Sequence, residues 1–365
     1  MTRSARPLRA RIHLDAIRHN YRHAKSHTPH ARALAVVKAN AYGHGAVAVA
    51  QALAAEADGF AVACVEEALE LRESGIRGRM VLLEGVFSPD ELALVDQAEL
   101  ALVVHNHTQL AWLLAAAPSR PLEVWIKLDT GMHRVGFAPS EFHAVNAQLA
   151  ACPHIGARVA MTHFARADET AHPYTAAQLA TFEHAVSGAQ IGRSLANSAA
   201  VLAWPAAQGD WTRPGIMLYG VSPFVAGDPH AATPALRPAM TLESAVIAVR
   251  ELAAGEPVGY GGRFVCTRPT RVGVVAIGYA DGYPRHARNG TQVAVNGQLT
   301  RLIGRVSMDM ITVDLTDCGA VQLGDPVELW GQTVAARAVA EASDTIAYQL
   351  FTGLGRRVPR LYDGA

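Results

Sequence analysis

Cysteine is scarce: Cys64, Cys152, Cys266 and Cys318 are scattered along the 365 residues and form no Cys-x-x-Cys pair. That spacing suits free thiols in a reducing compartment rather than a metal site or a disulfide framework. Neither sign of charge prevails, with 32 Lys plus Arg against 32 Asp plus Glu. A nucleic-acid or anionic-membrane partner is therefore not expected. No apolar run is long enough to span a bilayer. Met1 to Arg11 carries four arginines with no apolar core behind them, which does not suit a signal peptide. A cytoplasmic location is expected. Also missing is a Gly-x-Gly-x-x-Gly opening a helix, which counts against a dinucleotide fold.

What is present is apolar and rhythmic. Half of the residues are hydrophobic, enough for a large core in two domains or in one barrel with an appendage. After a lone strand over Leu8–Leu14 and a helix from Asp15, short apolar strands alternate with alanine-rich helices. The strands are expected at Leu34–Val37, Gly59–Cys64, Met80–Glu84, Leu100–His105, Glu123–Asp129, Ala157–His163, Gly192–Asn197 and Trp211–Gly215. Helical stretches include Ala46–Ala55, Val65–Ser74, Pro89–Gln97, His107–Ala115 and Pro139–Ala150. Eight strands so interleaved fit a (β/α)8 barrel, with a doubly wound sheet as the alternative.

Past Gly220 the character changes. Pro223, Pro229, Pro234 and Pro238 suit a linker, and from Met240 onward strand-like runs dominate, punctuated by Asn289-Gly290, Asn296-Gly297 and Gly324-Asp325 turns. The expected fold is thus α/β: an N-terminal (β/α)8 TIM barrel over residues 12–235, followed by a mainly β domain over 236–365 that also takes the N-terminal strand of 1–11.

In such a barrel the chemistry gathers where the strands end. Those ends read Lys38, Leu83 with Glu84, His105, Lys127 with Asp129, His163, Asn197 with Ser198, and Arg213 with Gly215. Lys38 closes an apolar strand before Tyr42-Gly43-His44-Gly45. Desolvation there favours the neutral amine, a nucleophile toward aldehydes, so Lys38 is a Schiff-base candidate. Asn197-Ser198 and Gly215-Ile216 follow strands seven and eight, where barrels commonly bind phosphate. An aldehyde with a phosphate handle, pyridoxal 5'-phosphate, would satisfy both ends. Read singly, each residue has a plainer role. Lys38 could snorkel to solvent, Ser198 could cap a helix, Arg213 could form a surface ion pair, His163 could sit satisfied in the core, and Lys127 could pair with Asp129. All of these plain roles holding at one barrel mouth is the less economical reading.

Six stretches carry a family resemblance: Val37 to Gly45, Lys127 to Arg134, Arg213 to Gly220, Gly259-Tyr260-Gly261, Gly278 to Gly282, and Gly304 to Asp309. In this order they resemble the alanine racemase family over nearly the whole chain. The resemblance implies that Lys38 holds pyridoxal 5'-phosphate and acts as one of two bases, with Tyr260 the other. It implies phosphate contacts from Tyr42, Ser198, Gly215, Ile216 and Tyr348, a cofactor pocket that includes Leu83 and Asn197, and Arg134 at the ring hydroxyl and substrate carboxylate. Met308 would offer its backbone N–H to that carboxylate. His163 would position Tyr260 and touch Arg213, whose cation faces the pyridine nitrogen. Tyr279 and Tyr348 would narrow the entrance, with Arg305 and Asp168 further out. Lys127 matches a lysine that is often carbamylated in the family, and Ser307 stands where many relatives have cysteine.

The implied activity interconverts L- and D-alanine, in a homodimer with shared active sites and without a metal. Competing readings are a broad-specificity amino-acid racemase of the same fold, a decarboxylase on a similar barrel, and a non-catalytic pyridoxal-phosphate carrier. The decarboxylase would carry a His-x-Gly-x-Gly phosphate motif and a cysteine base, which are not found. The carrier would lack the β domain and Tyr260.

Overall fold

The computed structural model describes residues 5–232 and 235–364. Pro234 of the proline-rich stretch, residues 1–4 and residue 365 lie outside the described residues. The chain divides into two compact units. One comprises Ile17–Ala41 and Ala46–Arg237; the other takes the residues up to Ala16, Tyr42–Gly45, and everything from Pro238 onward.

The first strand, β1 (Arg9–His13), belongs to the second unit. The first unit contains β2 (Arg32–Val36), β3 (Gly59–Val62), β4 (Met80–Leu82), β5 (Ala101–Val104), β6 (Leu122–Lys127), β7 (Ile155–Met161), β8 (Gly192–Ser194) and β9 (Trp211–Thr212). All pair in parallel, in the order β8-β7-β6-β5-β4-β3-β2-β9. Between the two ends of that order, Asp210 N donates to Arg193 O at 2.9 Å and Arg213 N to Ala196 O at 2.8 Å. The eight strands therefore form the expected barrel. Strands covered on both faces read as continuous apolar runs rather than alternating ones, and β3, β4 and β5 are buried at every position. At the N-terminal ends of the strands, the Arg32 and Arg79 guanidinium groups stack on the Trp211 ring at 4.2 and 4.5 Å. Arg79 also pairs with Glu123 at 3.0 Å. These packed charges close the bottom and leave the C-terminal ends for chemistry.

The helices Tyr174–Ala185 and the short Ser198–Ala203 complete the frame. The helix His107–Ala115 begins where the Asn106 side chain accepts the Gln109 N–H at 2.8 Å, a capping bond that satisfies one of its orphan donors.

The second unit is mainly β. It contains β10 (Met240–Leu252), β11 (Pro257–Val258), β12 (Phe264–Val265), β13 (Thr270–Val275), β14 (Gln292–Val295), β15 (Gln298–Arg301), β16 (Ile311–Asp314), β17 (Pro326–Trp330) and β18 (Arg360–Asp363). The large sheet runs β15-β14-β17-β10-β1-β18, with β13 on β10 and β16 on β13. Its core stacks Tyr283 on Trp330, ring centroids 6.2 Å apart, with Phe351 tilted against Trp330 at 6.3 Å. β13 ends at Val275, ahead of the turn at Gly278, where a Cβ would lie 2.3 Å from Ser307 O and 2.4 Å from Met308 O. β15 ends at Arg301, and the chain turns at Gly304, whose φ is +78°.

Candidate active site

Lys38 stands just past the end of β2, and the backbone after it is unusual. Ala39, Asn40, Ala41 and Tyr42 hold φ between 51° and 54°, a left-handed turn that costs non-glycine residues roughly 1–2 kcal/mol each. Specific bonds hold it. Glu67, on the helix Val65–Glu73, accepts the Ala39 N–H with one oxygen and the Ala63 N–H with the other, both at 2.7 Å. Asn40 Oδ1 accepts the Ala46 N–H at 2.8 Å. Strain of this kind persists where the surroundings over-determine it, and it clusters at functional sites. Here it fixes where Lys38 leaves the strand.

The barrel unit gathers cations around that position. Lys127 is 7% exposed at the end of β6. Burial, reinforced by Arg134, Arg213 and Lys38, pushes its ammonium down to about 8. Arg213 is 4% exposed, and burial pulls it down to about 10. Its guanidinium is satisfied by neutral acceptors: Ser194 Oγ at 2.6 Å, Thr162 O at 2.7 Å and Leu195 O at 3.2 Å. His163 lies 3.5 Å from it. Burial first, then the charges of Arg213, Lys127, Arg134 and Lys38, hold the imidazole well below its usual range. Among the described residues, Lys38, Lys127, Arg134 and Arg213 form no ion pair. The pairing of Lys127 with Asp129 does not occur. Asp129 instead accepts the N–H groups of Gly131 and His133 at 3.1 and 2.9 Å.

Around strands seven and eight, Asn197 rather than Ser198 caps the helix Ser198–Ala203, accepting the Ala200 N–H at 3.1 Å. The Ser198 hydroxyl turns instead to the neighbouring loop and accepts from Gly215 N at 2.9 Å and Met217 N at 3.4 Å. Ile216, between them, is 1% exposed, and its N–H has no acceptor among the described residues. Leu83 follows β4, its N–H on Val62 O at 2.9 Å. Asp168 lies past β7, and burial raises its carboxyl above the usual range.

The second unit brings together the remaining residues. Tyr42 and Tyr348 face each other with ring centroids 5.7 Å apart. The glycines after Tyr42 are sterically required. A Cβ at Gly43 would lie 2.1 Å from Phe351 O, and one at Gly45 would lie 2.0 Å from the Tyr362 hydroxyl. Elsewhere in this unit, Tyr260 is 69% exposed and Met308 54%, with Tyr279 and Tyr348 also open to solvent. The Gly278 turn packs on Ser307 and Met308, while Gly259 packs beside Arg305. One surface therefore carries Tyr260, Tyr279, Arg305 and Met308.

Asp281 anchors that surface. It is fully buried, with Arg6 Nη1 and Arg357 Nε each 2.6 Å from its Oδ1. Burial alone would raise its carboxyl, but the hydrogen bonds from Arg6 and Arg357 outweigh it and hold the group below its usual range. Arg6 also donates to Asp309 O at 2.9 Å, so one carboxylate steadies both the 278–282 and the 307–309 turns. Neither Arg6, Arg357, Glu67 nor Ser194 stands out in the sequence as a site residue, because each acts through a backbone group or another side chain.

Comparison with known proteins agrees with this arrangement. Residues 12–223 match the family model "Alanine racemase, N-terminal domain", and residues 239–362 match "Alanine racemase, C-terminal domain". The chain is 57% identical to an alanine racemase of Pseudomonas fluorescens, over 98% of this chain and 99% of that one. Its fold matches the crystal structure of a biosynthetic alanine racemase from Pseudomonas aeruginosa with a TM-score of 0.95 at 50% identity, covering 98% and 99% of the two chains. It also matches an alanine racemase from Bartonella henselae solved with covalently bound pyridoxal phosphate, with a TM-score of 0.89 at 32% identity over 98% and 100% of the chains. Two family models spanning both units, together with full-length relatives at this identity, show that the chain belongs to the alanine racemase family.

Proposed function

We propose that this chain interconverts L- and D-alanine, using pyridoxal 5'-phosphate held by Lys38. The observation that carries the reading is the cluster of Lys38, Lys127, Arg134 and Arg213, which form no ion pair among the described residues. Such a cluster is poised for a ligand bearing several negative charges. The residues present fit the cofactor. Lys38 offers an amine, the buried Ile216 N–H and the Ser198 hydroxyl offer phosphate contacts, and Arg213 offers a cation with no carboxylate partner. Tyr42 and Tyr348 would supply further phosphate contacts, Leu83 and Asn197 would line the pocket, and Arg134 would meet the ring hydroxyl.

When bound, pyridoxal phosphate disperses the charge left as the α-proton departs. The chain's own residues then handle protons on two faces. Lys38 Nζ removes or returns the α-proton on one side, and the Tyr260 hydroxyl does so on the other. Arg134 and the Met308 N–H orient the substrate carboxylate, and His163 orients Tyr260. The Arg213 cation, bonded only to neutral oxygens of the chain, would face the pyridine nitrogen and disfavour its protonation, which would restrain side reactions.

Lys127 is carbamylated in this reading. Its neutral amine adds to carbon dioxide, forming a nitrogen–carbon bond and releasing a proton, and the resulting anion orients Arg134. A depressed ammonium makes the neutral amine available near neutral pH. Tyr260, Tyr279 and Met308 are solvent-facing in one chain, and together with Arg305 they act on the barrel of a second copy in a homodimer. Tyr279 and Tyr348 narrow the entrance, with Arg305 and Asp168 further out. Four free thiols accord with a reducing, cytoplasmic setting.

Loss of optical rotation in L-alanine tests the activity. Lys38→Ala should abolish it along with the borohydride-sensitive cofactor absorbance. Ordinary turnover in Lys38→Ala with cofactor bound would overturn the assignment.

A further inference from the structure

Strand β18 does more than close one edge of its sheet. It pairs in parallel with β1, Ala10 opposite Arg360 and His13 opposite Asp363. His13 Nδ1 lies 2.9 Å from Asp363 Oδ1, and its Nε2 lies 2.9 Å from Thr241 Oγ1 on β10. The strand is thereby tied to both β1 and β10. Residues two apart on a strand share a face, and Arg360 and Tyr362 both turn toward the Tyr42–Gly45 segment of the same unit. The Tyr362 hydroxyl occupies the space that a Cβ at Gly45 would need. Arg360 Nε donates to Gly43 O at 3.2 Å.

The remainder of that guanidinium holds a second segment. Nη1 donates to Gly355 O at 3.0 Å and to Val358 O at 2.9 Å, and Nη2 donates to Leu354 O at 3.0 Å. These carbonyls follow the helix Ala347–Thr352, which carries Tyr348, whereas Gly43 directly follows Tyr42. One side chain thus clasps the chain beyond each of two tyrosines whose ring centroids lie 5.7 Å apart. A planar guanidinium carries five N–H donors in a fixed fork and reaches carbonyls in several directions, which an ammonium on a flexible stem does not. Burial draws Arg360 below its usual range, and the acceptors that compensate it are neutral. Tyr42 is buried too, which pushes its hydroxyl up to about 12. It therefore keeps its proton and donates to an anion.

We propose that Arg360 is a positioning residue for cofactor binding, holding the Tyr42 and Tyr348 hydroxyls at the separation that one phosphate group requires. The inference rests on the reading of these tyrosines as phosphate contacts, and it adds a residue whose own bonds go to backbone carbonyls. Donors held in place before the ligand arrives do not have to be ordered on binding, so the clasp acts on affinity.

The experiment compares the full-length chain, freed of cofactor, in its affinity for pyridoxal 5'-phosphate and for pyridoxal, which lacks the phosphate, by titration of intrinsic fluorescence. The wild-type chain should bind the phosphate compound more tightly. Arg360→Gln should weaken pyridoxal 5'-phosphate binding about tenfold or more, while pyridoxal binding stays within about twofold. Arg250→Gln, an exposed arginine on β10, should change neither. Thermal unfolding checks that the variants fold, and Arg360→Lys, which keeps the stem and the charge without the fork, repeats the comparison should Arg360→Gln misfold. Equal losses for the two compounds would reduce Arg360 to a general structural role and overturn the proposal, as would an undiminished preference for the phosphate compound. Equal affinity of the wild-type chain for both compounds would overturn the phosphate reading itself, and the proposal with it.

Discussion

Arg213 Nη2 lies 3.5 Å from His163 Nδ1, and its other bonds go to neutral oxygens. With a permanent donor facing Nδ1, the imidazole carries its proton on Nε2 and stays uncharged. Burial and the surrounding cations act in the same direction, holding His163 well below its usual range. One buried arginine thus sets the charge of its neighbour while keeping its own cation unneutralised.

Arg213→Glu reverses that arrangement. A carboxylate in its place favours the imidazolium, so the His163 titration should move upward toward or above its unperturbed value near 6.5. Nitrogen NMR of the histidines reads this directly. Racemisation should slow by about a hundredfold, and a long-wavelength absorbance band should grow on adding alanine. Unchanged spectra and rates would place Arg213 away from the cofactor.

Lys127 predicts a mass. Intact protein measured under mild conditions should carry one extra carbon dioxide, lost on acidification. The lowered ammonium makes the neutral amine more abundant as pH rises through about 8, so the carbamylated fraction should rise with pH over that window. Lys127→Ala should lower activity, with partial rescue by small carboxylates. Full activity with an unmodified Lys127 would reject the role.

The left-handed turn makes opposite predictions at two nearby positions. Ala39→Gly relieves a φ of 53° and should change stability by no more than about 1 kcal/mol, in the stabilising direction. It should also lower kcat, because the strained backbone aims Lys38. Gly43→Ala places a Cβ 2.1 Å from Phe351 O at a φ of +79°, and should cost roughly 3 kcal/mol or more. Urea midpoints measure both; a clearly destabilising Ala39→Gly would remove the claim of stored strain.

That turn also marks the limit of what the residues announced. Barrel strands were legible because strands buried on both faces are written as uninterrupted apolar runs, as in Met80–Leu82 and Ala101–Val104. The polar ends of those strands carry the cations on which the proposed site rests. The left-handed conformation of Ala39–Tyr42 was not legible, since it is held by bonds from Glu67, Asn40 and Val37 O and neither alanine nor tyrosine favours it. Asn197, not Ser198, caps its helix, because the Ser198 hydroxyl is claimed by the Gly215 N–H. β18 escaped for another reason. Its stability comes from pairing with β1 across almost the whole chain length, a partner that no local pattern reveals.

The central claim is that Lys38 and Tyr260 act as paired bases contributed by two copies of the chain. A head-to-tail homodimer builds two identical composite sites from one interface. Inactive Lys38→Ala and inactive Tyr260→Phe chains, mixed under conditions that let subunits exchange, would form heterodimers in which one site keeps both bases and the other has neither. Racemisation of L-alanine should then reappear, approaching half the wild-type rate per heterodimer. No recovery of activity, with exchange confirmed by differently tagged subunits, would contradict the account.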